Sequence, residues 1–295
     1  MTGFLAEAGQ KLADRWAALL AVPGLLYLAA VIAAAVLGQR DALSYPDLSR
    51  TIAAWATGPA LKSAGGTALI IAAVLAGSLA AGLVAAAGGR LVESVWTMSG
   101  DRPPAKWLAG RRRDRSARQK AIADSSADPA AVRKAIIRAD RICLVEPACP
   151  TWIGDRLHAC NVRIDKTYGL DLAATWPRLW LMVPDTVRTE LGAARDAYSA
   201  AARLAAWAVL YLVLAIWWWP AAPIAVIAGV AGVIKGRQAA GNLADLIESA
   251  VDLHNTELAA QLGEQANGLV TPIVGKRLTT RMRKDRWDPD SPLAQ

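Results

Sequence analysis

Charged residues are absent from three stretches of the chain, 25–37, 69–87 and 204–234. An apolar run of about 18 or more residues reads as a membrane span. The pattern predicts a first span over about 16–37, with Trp16 at its inner edge and Pro23 in its first turns, where proline costs least. A second span is predicted over about 66–88, rich in Ala and Gly at spacings that let helices approach closely in lipid. The third stretch has 31 uncharged residues. As one helix it would be about 46 Å long, against a hydrocarbon core of about 30 Å. Pro220 and Pro223 would also break its middle. Tryptophan prefers the membrane–water interface, so Trp217, Trp218 and Trp219 belong at the headgroups. The stretch therefore predicts a tight helical hairpin with its tip at the Trp–Pro cluster, and four spans in all.

Between the first two spans, 39–65 reads as a loop, with Pro46, Gly58 and Pro59. Asp128-Pro129 reads as a helix start, with Val132, Ile136 and Cys143 on the apolar face. Thr151 can cap a helix over 152–168 whose stripe is Ile153, Leu157, Cys160, Ile164 and Tyr168, stopped by Gly169. A short element follows at "WPRLW". Pro184-Asp185 starts a helix that nothing but Gly192 interrupts as far as Trp219. Span four can continue to Gly263, with Leu243, Leu246, Ile247, Ala250, His254 and Leu258 on one stripe. The tail from Gly275 is basic and reads as mobile or bound to headgroups.

Charge orients these elements. Region 90–203 holds 20 Lys and Arg against 13 Asp and Glu, while 39–65 has three basic residues and the chain from Lys235 has eight. Basic segments stay in the cytoplasm. An even number of spans then places both termini and the large polar region there, in a multi-pass protein of the plasma membrane. The early charges Glu7, Lys11, Asp14 and Arg15 do not resemble a signal peptide, so the first span is expected to be kept as an anchor.

The expected fold is thus an all-α integral membrane protein. Its four transmembrane helices carry a helical cytosolic domain between spans two and three, and helical extensions of the last hairpin. The parts are a two-span region at 1–89, a basic juxtamembrane linker at 90–127, a cytosolic helical domain at 128–202, a transmembrane hairpin at 203–235, and a cytosolic helix with a basic tail at 236–295.

The block "PTWIGDRLHACNVRIDKTYGLDLAATWPRLW" resembles a group of uncharacterised multi-spanning membrane proteins of actinobacteria. The matching positions are Pro150, Thr151, Gly154 and Asp155, then Tyr168, Gly169 and Asp171, then Trp176, Pro177 and Arg178, and finally Asp252 and His254 in "SAVDLHNTEL". The pattern departs at Cys160-Asn161, where an acidic residue is expected. The resemblance covers roughly 145–262 and implies architecture, not an activity.

Candidate chemistry is sparse. The sequence has no G-x-x-x-x-G-K-[ST], H-E-x-x-H, G-x-S-x-G or C-x-x-C. Cys149, His158 and Cys160 have no usual zinc spacing. Three cysteines, Cys143 included, fit reduced buried thiols better than a disulfide framework. Asp245, Glu248 and Asp252 share a helical face, where pairing with arginines of a neighbouring helix is preferred to acid–base work. Asp252 and His254 lie about 200° apart on an ideal helix. Trp176 and Trp180 read as packing or edge anchors.

Eight basic residues crowd the start of the polar region: Arg102, Lys106, Arg111, Arg112, Arg113, Arg115, Arg118 and Lys120. Beside a span such a cluster reads as a contact with anionic lipid headgroups, in preference to nucleic acid. The spans lack Asp, Glu, Lys, Arg and His, which argues against a proton-driven transporter within one subunit. Thr67, Ser78, Gly229, Gly232 and Gly236 are candidate contacts in an assembly.

These readings lead to a homo-oligomeric membrane effector or channel with a cytosolic unit that senses a ligand or protein, with no cofactor or metal. The alternatives are a non-enzymatic scaffold that recruits a cytosolic partner and, less favoured, a lipid-modifying enzyme using the 245–257 carboxylates.

Overall fold

The computed structural model describes residues 21–58, 63–101, 103, 105–125, 128–142, 146–264 and 269–283. These form ten helices and, among the described residues, no strand. In order they are α1 (Val22–Leu37), α2 (Tyr45–Ala56), α3 (Ala64–Trp96), α4 (Ala105–Ser125), α5 (Pro129–Ile142), α6 (Trp152–Tyr168), α7 (Leu172–Met182), α8 (Asp185–Leu214), α9 (Ala221–Gln261) and α10 (Pro272–Met282). Three of them, α3, α8 and α9, are long and apolar enough to cross a membrane, and α1 is a shorter apolar helix. The rest of the first expected span, with Trp16, lies outside the described residues.

The break in the long uncharged stretch falls at the Trp–Pro cluster. α8 stops at Leu214, before the tryptophans rather than after them. Proline disfavours helical backbone at the residue before it and cannot donate a hydrogen bond. The chain turns instead through short bonds, Ile216 N–H to Val213 O and Trp217 N–H to Leu214 O.

The chain divides into two compact units, 1–92 with 199–234, and 93–198 with 235–295. In the first, α3 and α9 each run antiparallel to α8, and helices touch at small residues. A Cβ on Gly24 of α1 would overlap the Ser78 carbonyl of α3, and one on Gly232 of α9 would lie 2.9 Å from Ala205 N of α8. Gly88 of α3 meets Ala206 of α8, and Gly229 of α9 meets Ala208. α1 also stacks on α8, with the Tyr27 ring 5.6 Å from Trp207 and 5.2 Å from Tyr211. Thus Ser78, Gly229 and Gly232, expected at contacts of an assembly, sit at crossings within one chain.

The second unit is built on α6, α7, α9 and α10. Cys160, Ile164, Leu170, Leu179, Val183, Ala244, Val251, Leu258, Leu278 and Met282 form its core. The α6 stripe predicted by periodicity is buried or half-buried throughout. In α5 the face is shifted: Ala135 is buried, whereas Ile136 and Ile137 are about half exposed. The small Ala lets α5 approach α4 closely, so the isoleucines flank the contact instead of filling it.

Two stretches read as irregular are helices. Within 39–65, α2 starts at Tyr45 with Pro46 and Asp47 in its first turn. Proline at a first helical position is pre-organised for the helix, so here it opens one. In the tail, Thr271 precedes Pro272 in the same way, and α10 buries Gly275, Leu278 and Met282. The expected mobile tail is therefore a packed helix as far as Met282, and the chain beyond Arg283 lies outside the described residues.

Candidate functional site

The motif residues of the second unit converge on two knots and a ladder. The first knot is built from "PTWIGD". Thr151 caps α6, its Oγ1 accepting from Gly154 N–H at 3.0 Å and donating to the Trp96 carbonyl. Gly154 is required by close packing, since a Cβ there would meet Trp96 O and the Cys149 side chain. Asp155 is buried. Its Oδ1 accepts from the N–H groups of Ala148 at 2.9 Å and Cys149 at 2.7 Å. Its Oδ2 accepts from Arg112 Nη2 at 2.6 Å and Nε at 3.2 Å. One carboxylate thereby ties the 146–150 segment to α4 and α6.

The second knot receives α10. Gly169 ends α6 with φ 68°, a left-handed conformation glycine adopts without strain. A Cβ at Gly169 would overlap the Pro272 carbonyl, and one at Gly275 would overlap the Tyr168 carbonyl. The two segments therefore cross glycine to glycine. Asp171 caps α7 by accepting from Ala173 N–H and takes Arg283 Nε at 2.8 Å on its other oxygen. Its own N–H donates to Thr279 Oγ1 at 3.1 Å. Arg178 donates to Ala174 O at 2.6 Å and Met282 O at 3.2 Å, the second bond satisfying the end of α10. Trp176 and Trp180 lie 6.0 Å apart as a tilted pair, with Trp176 packed on the core.

The ladder joins α6 to the parallel part of α9. Arg156 pairs with Asp245, and Arg163 Nη2 pairs with Glu248 at 2.6 Å. Tyr168 OH donates to Asp252 at 2.8 Å. Arg156 is only 8% exposed, and its Nη1 stands 3.7 Å from Glu248 without a hydrogen bond. Arg156 and Arg163 share one face of α6, and Asp245, Glu248 and Asp252 share one face of α9, so the two sets meet. Two guanidinium groups and one phenol thus engage the three carboxylates, an arrangement that fastens α6 to α9. His254 points away from the ladder and lies 3.3 Å from Glu257.

The thiols are interior. Cys149 and Cys160 are buried and unpaired, whereas His158 is exposed on the other side of α6. Burial, reinforced by Glu248, pushes the Cys160 thiol from 9.0 to about 12. Burial and then Asp155 raise Cys149. Among the described residues no three metal-binding side chains converge. Cys143 lies outside them.

The basic cluster splits by role. α4 buries a line of Ala105, Ala109 and Ser116, with Arg112 directed to Asp155 beside it. Arg113 Nε donates to Pro147 O at 2.7 Å. Arg112 and Arg113 each hold a partner within the fold, Arg112 half-buried and Arg113 still exposed. Arg111, Arg115 and Arg118 are exposed and recur along one face, with Arg111 stacked 4.0 Å over Trp107. Lys106 and Lys120 are exposed on the other flank, and Arg102 lies outside the described residues.

In the first unit Trp218 and Gln39 hold the hairpin tip. Trp218 Nε1 donates to Ala42 O at 3.0 Å. The Gln39 side chain donates to Ile216 O at 2.6 Å and accepts from Trp219 N–H at 3.2 Å. Trp217 and Trp219 remain exposed.

Sequence reasoning missed Arg156, Arg163, Gly275, Arg283 and Gln39. The repeat spacing of arginines and acids on α6 and α9 was a usable signal for the first two. Gln39 carries none, because its partners are backbone atoms far along the chain. No family model, curated protein or solved structure matches this chain.

Proposed function

We propose that the protein is a homo-oligomeric, non-enzymatic membrane effector with four spans, α1 belonging to the first. Both termini and the polar unit then face the cytoplasm of a plasma-membrane protein, in line with the excess of basic residues in 90–203. The observation that carries the reading is the continuity of α3, α8 and α9. Each runs unbroken from an uncharged stretch into a charged one. A hydrogen-bonded helix resists bending, so an event on the polar unit can be passed into the apolar one along three rods. The engaged carboxylates of the ladder give no support to a lipid-modifying enzyme.

A second reading, a scaffold that recruits a cytosolic protein or ligand, is favoured by one feature. α5 presents an open depression of about 830 Å³ lined by Asp128, Arg133, Lys134, Ile137 and Arg138. Such a mixed basic and apolar surface suits an acidic partner.

Two measurements decide between them. Mass measurement of the protein in nanodiscs gives the subunit number, and planar-bilayer recording gives conductance. An effector that forms a pore is a defined oligomer with discrete current steps. A silent monomer would reject the effector and leave the scaffold.

A further inference from the structure

The helix α2 has an amphipathic pattern, and its apolar face is largely uncovered. Leu48, Ile52, Trp55 and Ala56 fall within one face, and Asp47, Arg50 and Ala54 on the other. Leu48 is half-buried, whereas Ile52 is 51% and Trp55 52% exposed. The polar face is satisfied internally. Asp47 accepts from Ser44 Oγ and pairs with Arg50 at 3.2 Å. Leu43, just before the helix, is also exposed.

The same end of the unit carries the hairpin tip. Gln39 and Ala42, in the turn that leads into α2, bond to Ile216, Trp218 and Trp219. Ile216, Trp217 and Trp219 are therefore held, exposed, beside the segment that leads into α2. Exposed apolar and aromatic side chains of α2 and of the hairpin tip thus lie on segments tied together at one end of the unit.

We propose that α2 and the hairpin tip form one interfacial platform whose occupant is the headgroup–acyl boundary of the lipid bilayer. α2 lies in the membrane plane, with Ile52 and Trp55 inserted alongside Trp217 and Trp219. The inference rests on the membrane reading above. α2 has 12 residues and spans about 18 Å, too short to cross. An amphipathic helix of that kind lies in the interface plane. Indole rings prefer the same depth. A second copy fits less well, because a stable protein interface buries about 1,200–2,000 Å² and α2 offers two large side chains. The helix carries one acid and one base, Asp47 and Arg50. Its attachment is therefore apolar and independent of anionic lipid, unlike attraction through the basic face of α4.

Photolabelling of the unmodified full-length chain tests this. The protein is reconstituted in phosphatidylcholine vesicles containing either of two diazirine phosphatidylcholines. One probe carries the diazirine near the headgroup, the other at the acyl terminus, and adducts are located by mass spectrometry. The expected result is several-fold more headgroup-probe adduct on Ile52, Trp55, Trp217 and Trp219 than on Arg50 and Ala54. It should be unchanged when phosphatidylglycerol is added. The acyl-end probe should label the exposed Leu75 and Leu79 of α3. Labelled α3 with an unlabelled or uniformly labelled α2 would overturn the platform and leave the membrane reading standing. If α3 is unlabelled as well, both fall. Loss of α2 adducts together with disulfide-linked dimers of a Trp55→Cys variant would assign the face to a second copy instead, which also overturns the proposal.

Discussion

Asp155 shows how much one side chain can carry in a chain with so few catalytic candidates. It meets two backbone N–H groups and a guanidinium, so removal of the acid and removal of the base break different bonds. Asp155→Ala takes the carboxylate away from Arg112 and from two backbone donors. A loss of about 3–5 kcal/mol is expected. Arg112→Ala leaves the carboxylate its two N–H partners and is expected to cost less, about 1–3 kcal/mol. Thermal unfolding of both variants in one detergent checks the order, and an equal or reversed effect would refute the clamp. Cys160 makes a pH prediction. Its folded pKa is raised from 9.0 to about 12. The thiol is protonated in both states below pH 9, so that contribution is fully present there. Above it the unfolded chain loses the proton first, and stability falls as pH rises toward 12. Cys160→Ala should flatten this alkaline loss. In the intact protein near pH 7.5, maleimide should label Cys160 only after denaturation. Arg112 also marks a limit of sequence reading. Its spacing matched a surface cluster, and the partner that draws it inward is an acid in a different helix, which no local pattern displays.

At the scale of elements, local chemistry was the legible part. The cap at Thr151, the stop at Gly169 and the turn at Pro220 are each set within a few residues, and the helices begin and end accordingly. α2 and α10 were hidden because Pro46 and Pro272 look like breakers until it is clear that they lie in the first turns of helices. α10 had a second disguise, since its lysine and arginines suggested a solvated tail. In the fold, Arg283 reaches Asp171, and Leu278 and Met282 fill the core. The glycine crossing supplies the test. Gly275→Val would force a side chain into the Tyr168 carbonyl, backbone that cannot move aside. Overpacking of this kind costs about 1–3 kcal/mol. α10 should release from the unit, seen as faster amide exchange over 272–282 and cleavage after Arg281, while 152–168 stays protected. On α4, replacing Arg111, Arg115 and Arg118 with Gln should lower phosphatidylglycerol retention in mixed nanodiscs by up to about 1 kcal/mol per charge. The same change at Arg113 should unsettle its bond to Pro147 O and have little effect on lipid retention.

At the scale of the molecule, the proposed function turns on whether α8 behaves as a rod. It has 30 residues and measures about 45 Å. Inserting residues is a poor way to soften it. Two extra positions would rotate everything downstream by about 200° and pull the buried Ala201, Ala202 and Ala206 from their contacts. Ala197 and Ala200 are exposed, and changing both to Gly keeps the register. Each substitution costs about 1 kcal/mol of helix propensity, small beside the packing of a four-helix bundle. The double variant should insert, assemble and keep its subunit number. Transmission is then read by pairing it with Gly275→Val, which loosens the polar unit far along the chain from the apolar part of α8. In the otherwise native chain, that loosening should speed amide exchange over 205–213. In the glycine-softened chain, the effect should shrink, because a flexible joint absorbs the displacement before it reaches the apolar turns. Equal propagation in both backgrounds would show that α8 is not the route, and would move the coupling to α3 or α9.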